Sequence, residues 1–578
     1  MTQRTRIFSL PSLKVMPNLW DGAAFLMVML MLLMLAYASE KMRMPFHLGQ
    51  QIPISLDPHN LPYYAAETTL RMFIALFFSF VFSLILGGVA AKSERAGKIL
   101  IPIIDILQSV PIFGYLSITV AGFIALFPGS MLGPECATIF VVITSQIWNM
   151  TLSFYQSLRT IPHELMEATQ VYRLSSWQRF WRLEMPFAIP GLLWNAMMSM
   201  SGGWFFVVAA EAISVANQTI TLPGIGSYIA LAISSENWHA IFYAIMTMLI
   251  VIFLYDQLMF RPLIAWSQKF RLGEDTEERA ESWVLNLFQR TTLTRKCFDG
   301  LDIAWNHWIQ LRIPRFKWRK PVKIIKNNVH SRLNNILWYG SLITLGFLFG
   351  FWLWKMIYST LPFHDTWHVV VLGGITGLRV FISIMICSLI WLPIGIQIGL
   401  NPKWAKIAQP IAQFLAAFPA NLFFPVFVVM ILRFHLNMEI WCAPLMVLGT
   451  QWYILFNVIA GATVIPKELK LVILNMNVKG WLKWKRFLIP AVFPYYLTGA
   501  ITAAGNAWNT SVVAEIINWG SITLKAQGLG AYIQENTIIG NFPEITLGVV
   551  VMCAWVTLIN LVFWRRLYRF AENRYRME

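Results

Sequence analysis

Long apolar runs separated by short basic loops govern this chain from end to end. A helix needs about 20 largely apolar residues to cross the hydrocarbon core of a bilayer, where backbone polar groups must be satisfied internally. Runs of that kind lie at roughly 21–38, 69–91, 101–127, 136–156, 187–214 and 239–265, then at roughly 335–357, 371–399, 409–432, 440–461, 491–517 and 544–565. The pattern predicts an all-α membrane protein of about 12 transmembrane helices, six in each half. An even number of spans returns each half to the side on which it began.

The two halves read as copies. Arg71, Pro102 and Pro111 recur as Arg379, Pro410 and Pro419, 308 positions on; from Trp148, matching Trp452, to Arg261, matching Arg565, the offset holds at 304 without a gap. Ile161-Pro162-His163-Glu164-Leu165 returns as Ile465-Pro466-Lys467-Glu468-Leu469, Pro186 and Pro190 as Pro490 and Pro494, and Ala210-Glu211 as Ala514-Glu515. Gly224-Ile225-Gly226 returns as Gly528-Leu529-Gly530. Apolar packing alone would not keep a carboxylate and a GxG in register, so the repeat points to one functional module present twice. Equal topology in both copies makes the repeat parallel, about an axis along the membrane normal, with a pathway between the halves. The expected organisation is a first repeat at 1–266, a basic and aromatic cytoplasmic linker at 267–334 and a second repeat at 335–578.

Composition agrees with this picture and redirects the reading of charge. The chain is 57% hydrophobic and 13% charged, against about 25% charged in soluble domains. Its net charge of +17 gathers in Thr2 to Lys14, Lys92 to Lys98, Arg159 to Arg182, Lys269 to Arg332, Lys467 to Arg486 and Arg565 to Arg576. Those are the segments that a positive-inside topology leaves in the cytoplasm. The basic balance therefore reports topology rather than a nucleic-acid partner. A multi-pass protein of the plasma (inner) membrane, with both termini cytoplasmic, is expected. The N-terminal apolar run reads as a retained first span rather than a cleaved leader. The linker, with Arg315-Phe316-Lys317-Trp318-Arg319-Lys320, is too polar to span and reads as a tether or as a segment on the inner leaflet. The five scattered cysteines suggest no metal cluster or disulfide framework, and the pair His364 and His368 lacks a third ligand nearby.

The loop between the fourth and fifth spans carries the most specific chemistry. Pro162 can open a helix from about His163, which places Glu164 and Glu167 in its first turns, where the helix dipole favours negative charge. This loop resembles that of the permease subunits of ATP-binding-cassette importers, which carries a Glu-Ala-Ala motif, a Gly four residues after it and a Pro further on. Glu167-Ala168-Thr169 matches the triplet, Arg173 stands at the Gly, and Pro186 matches the end. The second copy keeps Ile465-Pro466, Glu468, Trp481 and Pro490, but Leu471-Val472-Ile473 replaces the triplet and Asn477 the Gly. The resemblance implies that these loops are coupling helices docking on two ATPase subunits at the cytoplasmic face, unequally in the two halves. It also implies an extracytoplasmic substrate-binding protein.

A second resemblance is narrower. Trp204-Phe-Phe-Val-Val-Ala-Ala-Glu211 and Trp508-Asn-Thr-Ser-Val-Val-Ala-Glu515, each followed by a GxG and then Tyr228-Ile229 or Tyr532-Ile533, resemble the permease group for nitrate, sulfonate, taurine and bicarbonate uptake. The second proline of that group's third span is present at Pro425, whereas Ser117 stands in the first half. Fusion into one chain is a further departure.

Three pairs remain open to two readings each. A charge near the bilayer centre is costly, so Glu211 and Glu515 must face an interior, water or a donor; they either gate a pathway or brace the turns holding Gly224, Gly226, Gly528 and Gly530. Arg71 and Arg379 either supply charge to an anion or snorkel to the interface. Trp204 and Trp508 either line the pathway, facing each other across the pseudo-axis, or pack between spans.

No G-x-x-x-x-G-K-[ST] occurs, so no Walker A loop is present and the expectation is that this chain is not an enzyme and carries no cofactor. ATP and Mg would be bound by partner subunits. The rival from sequence is an ion- or proton-coupled secondary transporter of twelve spans, with Glu211 and Glu515 as proton sites.

Overall fold

A computed structural model describes residues 52–109, 112–215, 218–270, 282–291, 304–310 and 361–575, with scattered positions at 21–36, 300 and 340–358. The predicted first span of each half is described only in part, and Pro111 and most of the linker lie outside the described residues. Within them, eight helices are long and apolar enough to cross a bilayer, or nine if a bent pair counts as one span.

In the first half, α1 (Leu61–Lys92) is followed by α2 (Glu94–Ser109), α3 (Ile112–Leu126), α4 (Leu132–Arg159) and the short α5 (His163–Val171). Next come α6 (Ser176–Ala210), α7 (Ile225–Ser234) and α8 (Trp238–Phe270). The amphipathic α9 (Trp283–Arg290) belongs to the linker. The second half runs α10 (Phe363–Leu400), α11 (Pro402–Ala417), α12 (Phe424–Arg433), α13 (Met438–Thr463) and the short α14 (Lys467–Asn475). It ends with α15 (Gly480–Ala514), α16 (Leu529–Ile539) and α17 (Phe542–Ala571). The repeat is thus structural as well as sequential, and the protein is an all-α membrane protein in its spanning portion.

Two features depart from the expected spans. The third span of the second half is not one rod. In the second half α11 and α12 meet at a bend of 80°, because Phe418, preceding Pro419, is held in extended backbone and the helix must stop there. The fifth spans, expected to run to 214 and 517, stop at Ala210 and Ala514 instead. The chain then turns into two antiparallel hairpins, β1 (Ala212–Val215) with β2 (Gln218–Thr221) and β3 (Ile516–Trp519) with β4 (Ile522–Lys525). β-Branched residues fill both hairpins, and they favour strand over helix once the helix has been capped.

Both α6 and α15 contain a π turn, at Phe180–Glu184 and Trp484–Leu488, just before Pro186 and Pro490. Proline lacks the N–H of a regular turn, and the wider turn accommodates it without ending the helix. A single rod therefore runs from each short loop helix to each hairpin.

Packing ties the halves together. In each half the second span packs on the fourth and the fourth on the fifth, while the third span reaches across to the other half. Phe113 and Leu116 of α3 are buried in the second half's core, and Phe418, Leu422 and Val428 are buried in the first half's core. The interface between halves is an exchange of helices rather than a flat seam.

Candidate functional site

Three places combine buried polar chemistry with the repeated residues: a charge cluster in each half beside its hairpin, and the two loops at the opposite face.

In the first cluster, Arg71 is fully buried and makes a two-pronged contact with Glu135, Nε and Nη2 each 2.6 Å from a carboxylate oxygen. Its Nη1 donates to Glu211 Oε1 at 2.7 Å and to the Pro223 carbonyl at 2.8 Å. The Thr68 hydroxyl donates to Glu211 Oε1 at 2.7 Å and accepts from the Ile225 N–H, while the Gly226 N–H donates to Glu211 Oε2 at 2.7 Å. Glu211 closes α6 as its C-cap through its backbone N–H, and its side chain accepts from the Gly226 N–H at the start of α7. A carboxylate is well suited to that positive helix end.

The second half repeats the arrangement. Arg379 Nη1 donates to Glu515 Oε1 at 3.0 Å and to the Gln527 carbonyl at 2.7 Å, and Nη2 pairs with Glu439. Thr376 donates to Glu515 Oε1 at 2.8 Å and accepts from the Leu529 N–H, and the Ala531 N–H donates to Glu515 Oε2. Of the two readings of the arginines, snorkelling does not hold: at 0% and 5% exposure both side chains are enclosed and held by the carboxylates that pair with them. Glu135, Glu439, Thr68 and Thr376 were not singled out from the sequence, although each pair keeps the repeat offset.

The clusters differ by one residue. Glu67, 1% exposed and hydrogen-bonded to Tyr63 Oη at 2.7 Å, adds a third carboxylate near Arg71. Its counterpart at the 308 offset is the apolar Ile375.

Gly224, Gly226, Gly528 and Gly530 are required by these contacts rather than by unusual dihedrals. A Cβ on Gly226 would run into the Val208 carbonyl and come within 2.9 Å of Glu211 Cβ, and one on Gly224 or Gly528 would overlap the Glu211 or Glu515 carboxylate. On Gly530 it would meet the Ser511 carbonyl at 2.5 Å. The GxG lets α7 and α16 lie against α6 and α15 without a gap.

Trp204 and Trp508 do not face each other. Trp204 packs edge-on against Tyr255 of its own half's sixth span, ring centroids 5.7 Å apart, and Trp508 lies near Gly377 of α10 and lines a space with Ile559 of its own half's sixth span. The parallel offset of the repeat, not a shared axis contact, places them there.

At the opposite face, α5 carries Glu164 and Glu167 exposed, Ala168 half-buried and Thr169 buried; Pro162 is its N-cap. Arg173 and Asn477, the residues standing where the resemblance expects Gly, both have left-handed backbone, φ 50° and 51°. The N–H of Leu174 bonds the Thr169 carbonyl and that of Val478 the Ile473 carbonyl, the helix-ending pattern that Gly ordinarily serves. The backbone has kept the glycine conformation without the glycine. Substituting Arg173→Gly should therefore stabilise the chain by about 1 kcal/mol, read as a raised thermal midpoint in detergent. Arg173→Ala, which removes the charge but not the strain, should give no such gain.

The loops then diverge. The first is stiffened by a capping box between Ser175 and Gln178 and by Glu184, which pairs with Lys92 at 2.7 Å and Arg179 at 2.9 Å. Trp177 and Trp181 stack against Trp308 and Trp305 of the linker, with centroids 4.7 and 4.9 Å apart. The second has Lys479, Leu482 and Leu488 at the corresponding positions and no side-chain cap. Its helix α14, which begins with the exposed Glu468, instead exposes Leu471, Val472 and Leu474, followed by Met476, the exposed Asn477 and Trp481.

Residues 79–259 and 391–577 each match the family profile described as binding-protein-dependent transport system inner membrane component. A nitrate import permease protein of Synechococcus elongatus is 25% identical over 166 residues, 29% of this chain and 52% of that protein. A bicarbonate transport system permease protein of the same species is 27% identical over 189 residues, covering 32% and 64%. A glycine betaine/proline betaine transport system permease protein of Escherichia coli is 30% identical over 164 residues, covering 28% and 44%. The chain spans about half the length of the curated relatives it matches.

Proposed function

Because the chain belongs to the family of binding-protein-dependent transport system inner membrane components, we propose that it is the fused permease subunit of an ATP-driven importer that moves a small solute by alternating access. The observation that carries this reading is the pair of unbroken rods α6 and α15. Each begins beside a loop helix, α5 or α14, and ends on the buried carboxylate of Glu211 or Glu515. At 1.5 Å per residue each rod is about 50 Å long, enough to carry a displacement from one membrane face to the other.

In this proposal two ATPase subunits, binding ATP and Mg, receive α5 and α14 at the cytoplasmic face, and their closure swings the rods. Glu211 and Glu515 fix the far ends to the second spans through Arg71 and Arg379, so the halves rock as units and do not bend. An extracytoplasmic binding protein delivers solute at the hairpin face, and both termini are cytoplasmic. The exposed surfaces support unequal docking: α5 offers carboxylates, α14 an apolar face. The resemblance and the relatives together support nitrate, bicarbonate, sulfonates, taurine and betaines as candidate solutes. The rival in which Glu211 and Glu515 carry protons gains no support, since each carboxylate is enclosed by an arginine, a threonine and a backbone N–H.

Glu167 is exposed and touches no core, so Glu167→Lys tests docking without testing folding. The chain should keep its thermal midpoint while co-purification with its ATPase subunits weakens and transport-coupled ATP hydrolysis falls several-fold. Unchanged assembly and coupled hydrolysis would sink the role given to this loop.

A further inference from the structure

The helix exchange creates a related pair of spaces between the halves, and they are not alike. One lies where α2 and α3 meet α15 and α17, and encloses about 220 Å³. The other lies where α11 meets α6 and α8, and encloses only about 20 Å³. Eight lining positions on the fifth and sixth spans correspond at the 304 offset, while the counterparts of Thr144, Ser145, Trp148 and Asn149 in the open space line a further space of about 20 Å³, and the difference in size has a simple cause. Met200 and Tyr255 fill the small one where Ala504 and Ile559 leave the large one open. Asp256, paired with Arg261, stands where the open cavity has Asn560.

The open cavity is polar but, among its described lining residues, carries no charged side chain. Gln108, Asn149 and Asn506 bring amides, and Trp148, Trp508 and Trp564 bring indoles. Gln108 donates to Asn149 Oδ1 at 3.2 Å, and Asn506 Nδ2 donates to the Thr502 carbonyl at 3.0 Å, so the amides are oriented. Asn509 accepts from the Ile112 N–H at 2.6 Å and fixes the start of α3 against the cavity. A larger space of about 530 Å³, between α7 and α16 and bordered by β3, likewise has no charged side chain among its described lining residues.

We propose that the open cavity is a one-sided solute site, formed by the second half's fifth and sixth spans with the first half's third and fourth, and that its solute is small and without net charge. This rests on the permease reading and narrows its candidate solutes. An inorganic anion entering a low-dielectric site with no opposing charge among its described lining residues gives up its hydration without a partner there. A zwitterion loses less: amides can hold its acidic group by hydrogen bonds, and indole faces attract an ammonium or methylated ammonium centre. The closed counterpart keeps solute on one path, so the fused chain carries one site and not two.

The test uses the full chain in lipid nanodiscs and reads its thermal midpoint with saturating glycine betaine, taurine, sodium nitrate or sodium bicarbonate. Glycine betaine or taurine should raise the midpoint by about 2 °C. The rise should vanish in Asn506→Leu and persist in Met200→Leu. A larger rise from nitrate or bicarbonate, no rise from any of the four, or a rise that survives Asn506→Leu overturns the proposal. Uptake into proteoliposomes with the ATPase subunits is scored separately. ATP-dependent uptake that is indifferent to Asn506→Leu removes the cavity and leaves the permease reading intact, whereas absence of ATP-dependent uptake of any candidate removes that reading itself.

Discussion

Arg71→Met should cost the chain about 3–5 kcal/mol and most of its folded yield. The substitution keeps an unbranched apolar side chain of similar length, so packing changes little. It strips the only cation that the described contacts place on Glu135 and Glu211, and it removes the nearest one to Glu67. Burying a charged pair is itself expensive, but removing one partner is far worse, because the other's desolvation is left uncompensated. Arg379→Met should cost less. Only two carboxylates face Arg379, and the side chain of one of them, Glu439, is 41% exposed and can be rehydrated. Combining Arg71→Met with Glu135→Gln and Glu211→Gln should recover part of the loss, since neutral amides tolerate the site. Monodispersity and thermal midpoint in detergent check all three. Equal behaviour of Arg71→Met and the parent chain would show that the cluster contributes nothing.

Gly226→Ala should be nearly as damaging, at about 3 kcal/mol or more. The added methyl would collide with the Val208 carbonyl, a backbone atom inside α6 that has no rotamer to escape into. α7 would have to lift away, and with it the Gly226 N–H that donates to Glu211. Gly122→Ala, where nothing lies within 4 Å of the new carbon, is the control and should be neutral. If the proposed rocking depends on this lock, a partly folded Gly226→Ala chain should still bind ATPase subunits at its loops yet fail to couple hydrolysis to uptake. Coupling unaffected in folded Gly226→Ala protein would show that the lock is not part of the transmission.

Much of this was legible before any coordinates, because the repeat acts as its own control. Residues such as Glu211 and Glu515 stood out since nothing in an apolar span explains a carboxylate kept twice. Glu135 and Glu439 escaped by lying at the start of a span, where an acidic residue is unremarkable as a helix-dipole partner; only the offset could have shown them. Arg71 and Arg379 stand out in the sequence but stay between two readings, since hydropathy cannot see a partner that lies on another helix. The hairpins were hidden for a different reason. Val, Ile and Thr serve a strand or a buried helix equally well, and the choice depends on the cap at Glu211, which is a tertiary contact. The cavity asymmetry depends on side-chain volume at Met200 and Tyr255 against Ala504 and Ile559, a difference that hydrophobic pattern treats as none.

The exchanged third spans also impose an order on biosynthesis. A ribosome releases the first half complete in its own spans while Phe113 and Leu116 still lack part of the core that will bury them: Phe205 and Phe206 already lie in the first half beside Phe113, but the second half's share of that core is not yet made. The space in the first half's core meant for Phe418 and Leu422 is equally vacant until those residues are made. For some 300 residues of translation, at about 5–20 residues per second, the nascent first half is a fold waiting for its missing pieces. The last event of maturation is then a mutual threading of helices within one polypeptide. Joining the halves covalently keeps the awaited partner tethered nearby for that step.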